Sequence, residues 1–154
     1  LPARVRTNRA FHGPEERYPL ILIGNGSGLA GLRGHLRAWA EHEYPGLVWL
    51  MFGERTAAHD SLMDEELQRY LSTGQLNRLN RAFSRDPGDG RYVQQMVAQY
   101  AADVVEWVET GAYIYVCGSL EGMASGVHEA LQAALGEEAL QELTEAGRYR
   151  RDVY

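Results

Sequence analysis

A doubly wound α/β fold, built on a mostly five-stranded parallel sheet flanked by helices, is predicted for this chain from three observations. Apolar runs of strand length recur at 20–23, 47–52 and 113–117. Between them lie segments whose apolar residues keep helical steps of three and four. Glycine-rich bends stand where strand gives way to helix. Strands separated by helices pair in parallel through crossover connections. At 154 residues the chain suits one domain large enough to bury its own core.

The elements follow in order. Residues 1–19 are polar, carry Pro2, Pro14 and Pro19, and read as a lead-in from an earlier domain. The first strand, 20–23, enters the bend Gly24-Asn25-Gly26-Ser27-Gly28, and a helix is expected over 29–43. Such a junction suits an anion, because glycines let the backbone approach a phosphate and the first helical N–H groups point at it. The run 47–52 is bounded by Pro45-Gly46 and Gly53 and reads as a second strand. Residues 62–71 place Leu62, Met63, Leu67, Tyr70 and Leu71 at helical period. The segment 76–83 is less apolar and reads as an edge strand. Past Pro87-Gly88-Asp89-Gly90, one long helix is expected over 93–109, with Val93, Val97, Tyr100, Val104 and Val108 on its apolar side. A strand at 113–117 and helices at 123–135 and 137–146 follow, with Gly136 between them and Gly147 as C-cap. A last short strand covers 149–153. Ligands of such sheets bind beyond the carboxyl ends of the strands. The groups 24–28, 53–55, 84–85 and 117–118 all fall at such ends.

Composition narrows the function. The formal charge of −6 argues against a nucleic-acid partner, which would favour a basic face. All 15 basic residues are arginine, so the lysine that closes a P-loop does not exist here. The single cysteine, Cys117, excludes an internal disulfide and a multi-cysteine zinc site, and fits a reducing compartment. Histidines 12, 35, 42, 59 and 128 show no metal-ligand spacing, so no metal is expected. Gly26-Ser27-Gly28 lacks the spacing of a hydrolase elbow. No apolar stretch approaches the ~20 residues that span a bilayer, and no signal peptide is visible. A chain opening on Leu1 rather than Met reads as a fragment or excised domain.

Two clusters carry candidate chemistry. Ser84 and Arg85, with Arg91 and Tyr92 shortly after, have the groups to hold a phosphate monoester and stack on a purine. That pattern would select NADP(H) over NAD(H), where an acidic residue on the ribose is expected. The plainer reading is a capped turn with solvated arginines. Cys117, at the end of an apolar strand and before Gly118, reads either as a structural core cysteine or as a sulfur facing a ligand ring. Nothing beside it identifies a thiolate nucleophile.

At this point the chain resembles the NADP-binding domain of the diflavin reductases, the group containing cytochrome P450 reductase and the flavoprotein subunit of sulfite reductase. The broader class is ferredoxin–NADP reductase-like. Five blocks carry the likeness in the family's order: Leu22 to Ala30 with Leu32-Arg33-Gly34; Phe52-Gly53-Glu54-Arg55; Ala82 to Asp86 with Tyr92-Val93-Gln94; Tyr113 to Gly118 with Met123-Ala124 and Val127-His128-Glu129; and Gly147-Arg148-Tyr149 with Asp152-Val153-Tyr154. The terminal tyrosine is similar to the sulfite reductase type, where the P450 reductases have tryptophan.

The resemblance implies an NADPH-dependent flavoprotein reductase that passes hydride to FAD and electrons on to FMN, haem or another acceptor. By it, Gly24, Asn25, Gly26, Ser27, Gly28 and Leu29 would surround the pyrophosphate and nicotinamide end, and Arg55 would approach the pyrophosphate and ribose. Ser84 and Arg85 would take the 2′-phosphate, with Arg91 in place of the family's lysine, Tyr92 stacking on the adenine and Gln94 nearby. Gly118, Ser119 and Met123 would line the cofactor. Cys117 and Asp152 would flank the nicotinamide, and Tyr154 would stack over the flavin. It also implies that 1–19 leads in from an FAD-binding domain and that 20–154 is the NADP(H)-binding domain. A flavodoxin-like FMN domain and an electron-accepting protein or haem would be partners, in the cytoplasm or at the cytoplasmic face of a membrane. The chain departs from the family at Asn25 and Ser27 (usually Pro and Thr), at Gly31-Leu32 (usually Pro-Phe), at Gly90 (usually Lys, with Arg91 one place later) and at Ser119 (usually Asp). A degenerate site of that kind also fits a nucleotide-sensing or regulatory NADP-binding module without redox activity. A third reading is a structural domain whose glycine bend binds nothing.

Overall fold

The computed structural model describes residues 18–25, 34, 47–54, 61–85, 88, 90, 92–118 and 123–153. In chain order the elements are β1 (Leu20–Asn25), β2 (Val48–Glu54), α1 (Ser61–Thr73), β3 (Arg78–Phe83), α2 (Val93–Gln99), α3 (Ala101–Glu109), β4 (Tyr113–Gly118), α4 (Ser125–Leu135), α5 (Glu137–Glu145) and β5 (Tyr149–Val153). The strands form one sheet in the order β3-β2-β1-β4-β5, and every neighbouring pair is parallel. The expected five-stranded parallel sheet is therefore present, with β3 at its edge as its weaker apolar content suggested.

Burial explains which runs read most clearly. Strands in the middle of a parallel sheet are covered on both faces and so need apolar residues continuously rather than alternately. Leu20 to Ile23 and Val48 to Met51 are all fully buried. One face of the sheet presents Ile21, Ile23, Trp49, Met51, Ile114 and Val116 to α2 through α5, which answer with Met96, Val97, Val104, Val127, Leu131 and Leu140. The other presents Leu20, Leu22, Leu50, Phe52, Tyr115 and Cys117, covered by Leu67 and Tyr70 of α1. Burying one such large side chain is worth about 1.5–3 kcal/mol, so the two clusters dominate the stability of the sheet. The helix expected over 29–43 and the lead-in 1–17 lie outside the described residues.

Several boundaries differ from expectation. β1 runs on through Gly24 and Asn25, which are paired with Phe52 and Gly53, so the first two residues of the glycine bend are still strand. β3 begins at Arg78 rather than 76, because Leu76 and Asn77 are engaged elsewhere: their N–H groups donate to the carbonyls of Tyr70 and Val48. The helix expected over 93–109 is two helices divided at Tyr100, where φ is −102° and ψ 27°. The apolar steps continue across this break, so periodicity alone does not reveal it.

Tyr100 sits in a cluster that accounts for the break. Its ring meets the edge of Trp49 at 6.3 Å between centroids, and the Arg78 guanidinium lies 5.0 Å from the Tyr100 centroid and 3.9 Å from that of Trp49. Arg78 also pairs with Asp103 at 2.8 Å. The buried indole N–H of Trp49 donates to Asn80 Oδ1 at 2.7 Å, and Arg78 Nε donates to the same oxygen at 3.2 Å. Asn80→Leu removes that acceptor at similar volume and strands the indole N–H. A loss of about 1–3 kcal/mol is expected, read as a lower urea midpoint at unchanged slope.

Candidate functional site

The chain winds outward from β1 through β2 to β3, then returns to the far side of β1 for β4 and β5. The winding direction reverses between β1 and β4. In open parallel sheets the crevice at the carboxyl ends of two such strands is where ligands lie. Two rows of residues cross the sheet there. Arg81, Phe52, Gly24, Cys117 and Asp152 are paired in succession across all five strands. One residue further, Ala82 pairs with Gly53 and Gly53 with Asn25 on one side, and Gly118 with Val153 on the other. Each of the three central strands thus carries a glycine in its last two residues: Gly24, Gly53 and Gly118. At two of the three, the space that a side chain would take is filled by the chain's own atoms.

Close packing explains why two of these positions are glycine. A Cβ on Gly118 would fall onto Met123 Cε and within 2.9 Å of Asn25 Oδ1, and its φ is +154°. Asn25, at the end of β1, therefore reaches across the switch point to the end of β4, and Met123 closes over it from the turn that enters α4. A Cβ on Gly53 would lie 3.1 Å from Val93 Cβ. That contact seats the start of α2 on the end of β2.

The seating of α2 fixes Tyr92. Its backbone N–H donates to Gln95 Oε1 at 2.7 Å, half of a capping arrangement. The loop after β3 is closed by the Gly90 N–H donating to the Phe83 carbonyl at 3.1 Å. Chain that leaves the sheet at Ser84 is thereby returned to the end of β3 two residues before Tyr92. Ser84, half-buried, and Arg85, exposed, sit in the turn immediately after the strand, and Tyr92, 57% exposed, stands directly before the first residue of α2. From β3 to β4 there are three strand spacings, about 14 Å, so a ligand touching both ends must be elongated.

The remaining candidates fall as follows. Gln94 packs at the crossing of α2 and α4, its Cγ, Cδ and Nε2 lying 3.1–3.2 Å from a Cβ built on Gly126. Cys117 is 1% exposed within the apolar cluster that includes Phe52 and Tyr115. The backbone of Asp152 is in register with Cys117. Gly26, Ser27, Gly28, Leu29, Arg55, Arg91, Ser119 and Tyr154 lie outside the described residues. Among the described residues, no group of three or more His, Cys, Asp or Glu is placed to hold a metal ion, and no helix is long and apolar enough to cross a membrane.

β5, which carries Asp152, is tied down at its start. Arg148 Nη2 donates to the carbonyls of Val108 at 2.9 Å and Ala112 at 3.0 Å, a cation at the carboxyl end of α3. The Tyr149 hydroxyl lies 3.0 Å from His128 Nδ1, and the two rings stack at 5.8 Å. Burial pushes the Tyr149 phenol up to about 12, against the opposing pull of Arg151. The Tyr115 phenol is likewise pushed up to about 12 by burial, with Arg150 opposing. Both remain neutral partners at ordinary pH. Sequence reasoning missed the roles of Gly53, Val93 and Gln95 in setting Tyr92. The readable trace was a glycine at the carboxyl end of every central strand.

Comparison with known proteins bears on the same residues. The family described as oxidoreductase NAD-binding domain matches residues 22–129, from the middle of β1 through β4 to the first part of α4. The chain is 39% identical over 161 aligned positions to the sulfite reductase [NADPH] flavoprotein alpha-component of Vibrio vulnificus, covering 97% of this chain and 26% of that protein. Its counterpart in Vibrio cholerae serotype O1 is 42% identical, again over 97% of this chain and 26% of the relative. That of Escherichia coli O1:K1 is 39% identical over 88% of this chain and 24% of the relative. The chain thus spans about a quarter of the length of these relatives.

Proposed function

This chain belongs to the oxidoreductase NAD-binding domain family, and from that premise we propose that it binds NADP(H) along the carboxyl edge of the sheet. In this reading it presents the nicotinamide to an FAD held by a separate barrel domain, within an NADPH-dependent flavoprotein reductase of the sulfite reductase type. The observation that carries the reading is the row of strand-end glycines at the switch point, with Ser84 and Arg85 in the turn after β3 and exposed Tyr92 at the head of α2. A dinucleotide is elongated and anionic in its middle. The glycine-lined crevice fits its pyrophosphate, while a guanidinium, a hydroxyl and an exposed aromatic ring beyond it fit a 2′-phosphorylated adenosine.

The flavin would supply the hydride-accepting ring; this chain's share of the chemistry is geometric. Gly118 and Asn25 set the floor at the β1–β4 crevice, Met123 closes one side, and Cys117 and Asp152 stand on adjacent strands at the nicotinamide end. Electrons would leave the flavin for FMN, haem or another acceptor bound outside this chain. Residues 1–19 would then be the lead-in from the FAD domain, and 20–154 the nucleotide domain.

Calorimetry and stopped-flow absorbance test this together. The purified chain should bind NADP⁺ with measurable heat, yet leave added FAD unreduced on mixing with NADPH. Rapid flavin reduction should require the FAD-binding domain. No heat at millimolar NADP⁺ would remove the nucleotide reading, and rapid turnover by the chain alone would remove the two-domain mechanism.

A further inference from the structure

We propose that Gly126 is a positioning residue, whose missing side chain lets Gln94 lie against α4 and so fixes the distance between the two ends of the dinucleotide site; this rests on the NADP(H) reading above. Glycine is a poor helix former, because it gives up more backbone freedom than any other residue. Gly126 is nevertheless the second residue of α4. A Cβ there would lie 3.1 Å from Gln94 Cγ and 3.2 Å from both Cδ and Nε2. Gln94 is in turn the second residue of α2. Because the contact includes Cγ and Cδ, turning the terminal amide alone would not clear it. Met96 and Val97 of α2 are buried in one cluster with Val127 and Leu131 of α4, so the crossing is close-packed on its inner side. A methyl group added at Gly126 would therefore be met by a shift of a few tenths of an ångström between the heads of the two helices.

Those heads are where the two ends of the crevice are set. Val93 seats α2 on Gly53 at the end of β2, and Tyr92 stands directly before it. Met123, two residues ahead of α4, closes over Gly118 at the end of β4. The contact of Gln94 with Gly126 ties these two seats directly to each other. Each of the three contacts depends on a glycine, at Gly53, Gly118 and Gly126. A ligand held at both ends gains from its second contact only when the spacing of the two subsites matches its own length. A ligand held at one end is indifferent to that spacing.

Titration calorimetry with NADP⁺ and with adenosine 2′,5′-bisphosphate separates the two cases, since in this reading the bisphosphate touches only the β3 and α2 end. Gly126→Ala should weaken NADP⁺ about fivefold, within the range by which residues touching no ligand alter the coupling between sites. It should leave the bisphosphate unchanged. Gln94→Ala clears the space, and in that background Gly126→Ala should cost NADP⁺ nothing further. Equal weakening of both ligands, no weakening of either, or a loss that persists in the Gln94→Ala background overturns the joint and leaves the nucleotide reading standing. Absence of heat from NADP⁺ with the unaltered protein overturns the reading itself. If Gly126→Ala lacks a cooperative thermal transition, Gln94→Leu, which thickens the same contact from α2, carries the comparison.

Discussion

Gly118→Ala should destabilise the protein by about 3 kcal/mol and abolish measurable NADP⁺ binding, the largest effect expected of any single methyl group in this chain. Two costs combine. At φ +154° a side chain is strained wherever it points, and the added Cβ would meet Met123 Cε and the Asn25 carboxamide besides. Backbone strain of this kind costs about 1–3 kcal/mol, and overpacking a well-filled site about as much again. Relief requires Asn25 or Met123 to move, and both line the crevice between β1 and β4. Gly136→Ala separates the two costs. Gly136 also has a positive φ, +93°, but a Cβ there meets nothing within 4 Å. It lies between α4 and α5, away from the strand ends. That variant should lose roughly 1 kcal/mol from strain alone and bind NADP⁺ as before. Urea midpoints and titration calorimetry on both proteins check the pair. A Gly118→Ala protein that is stable and still binds NADP⁺ would show that the ends of β1 and β4 do not form the site.

The same contrast shows what was legible in the sequence. Strand positions were readable because β1, β2 and β4 are buried on both faces and so must be apolar throughout. Glycines at strand ends were readable as a feature because they close apolar runs. Contacts between distant segments were not. Asn25 meets Gly118 across 93 positions, and no local pattern announces it. The break at Tyr100 is set by Trp49 and Arg78, residues of two other strands, while the local apolar steps run on unbroken. Gln94 is held at the α2–α4 crossing because Gly126 leaves room there, which depends on how two helices meet. Local periodicity fixes elements; tertiary partners fix where they end and what their polar residues do.

Arg85→Ala should cut NADP⁺ affinity by roughly ten- to a hundredfold, the range for loss of a bidentate charged contact, while NAD⁺ affinity changes little. The asymmetry is the informative quantity. Arg85 is exposed in the turn at the edge of the sheet, so its removal should cost the fold little. Any effect must pass through the ligand's extra phosphate. Exposure also sets a second expectation. Screening grows as the Debye length falls from about 30 Å at 0.01 M salt to about 8 Å at 0.15 M. Binding of NADP⁺ to the unaltered protein should therefore weaken with salt more steeply than binding to Arg85→Ala. Ser84→Asp extends the test in the opposite sense: a carboxylate beside the ribose favours a free 2′-hydroxyl and repels a phosphate. The double variant Ser84→Asp with Arg85→Ala should bind NAD⁺ at least as well as NADP⁺. Equal losses of the two dinucleotides in Arg85→Ala would mean that the end of β3 holds no 2′-phosphate, and the adenosine would have to lie elsewhere along the sheet.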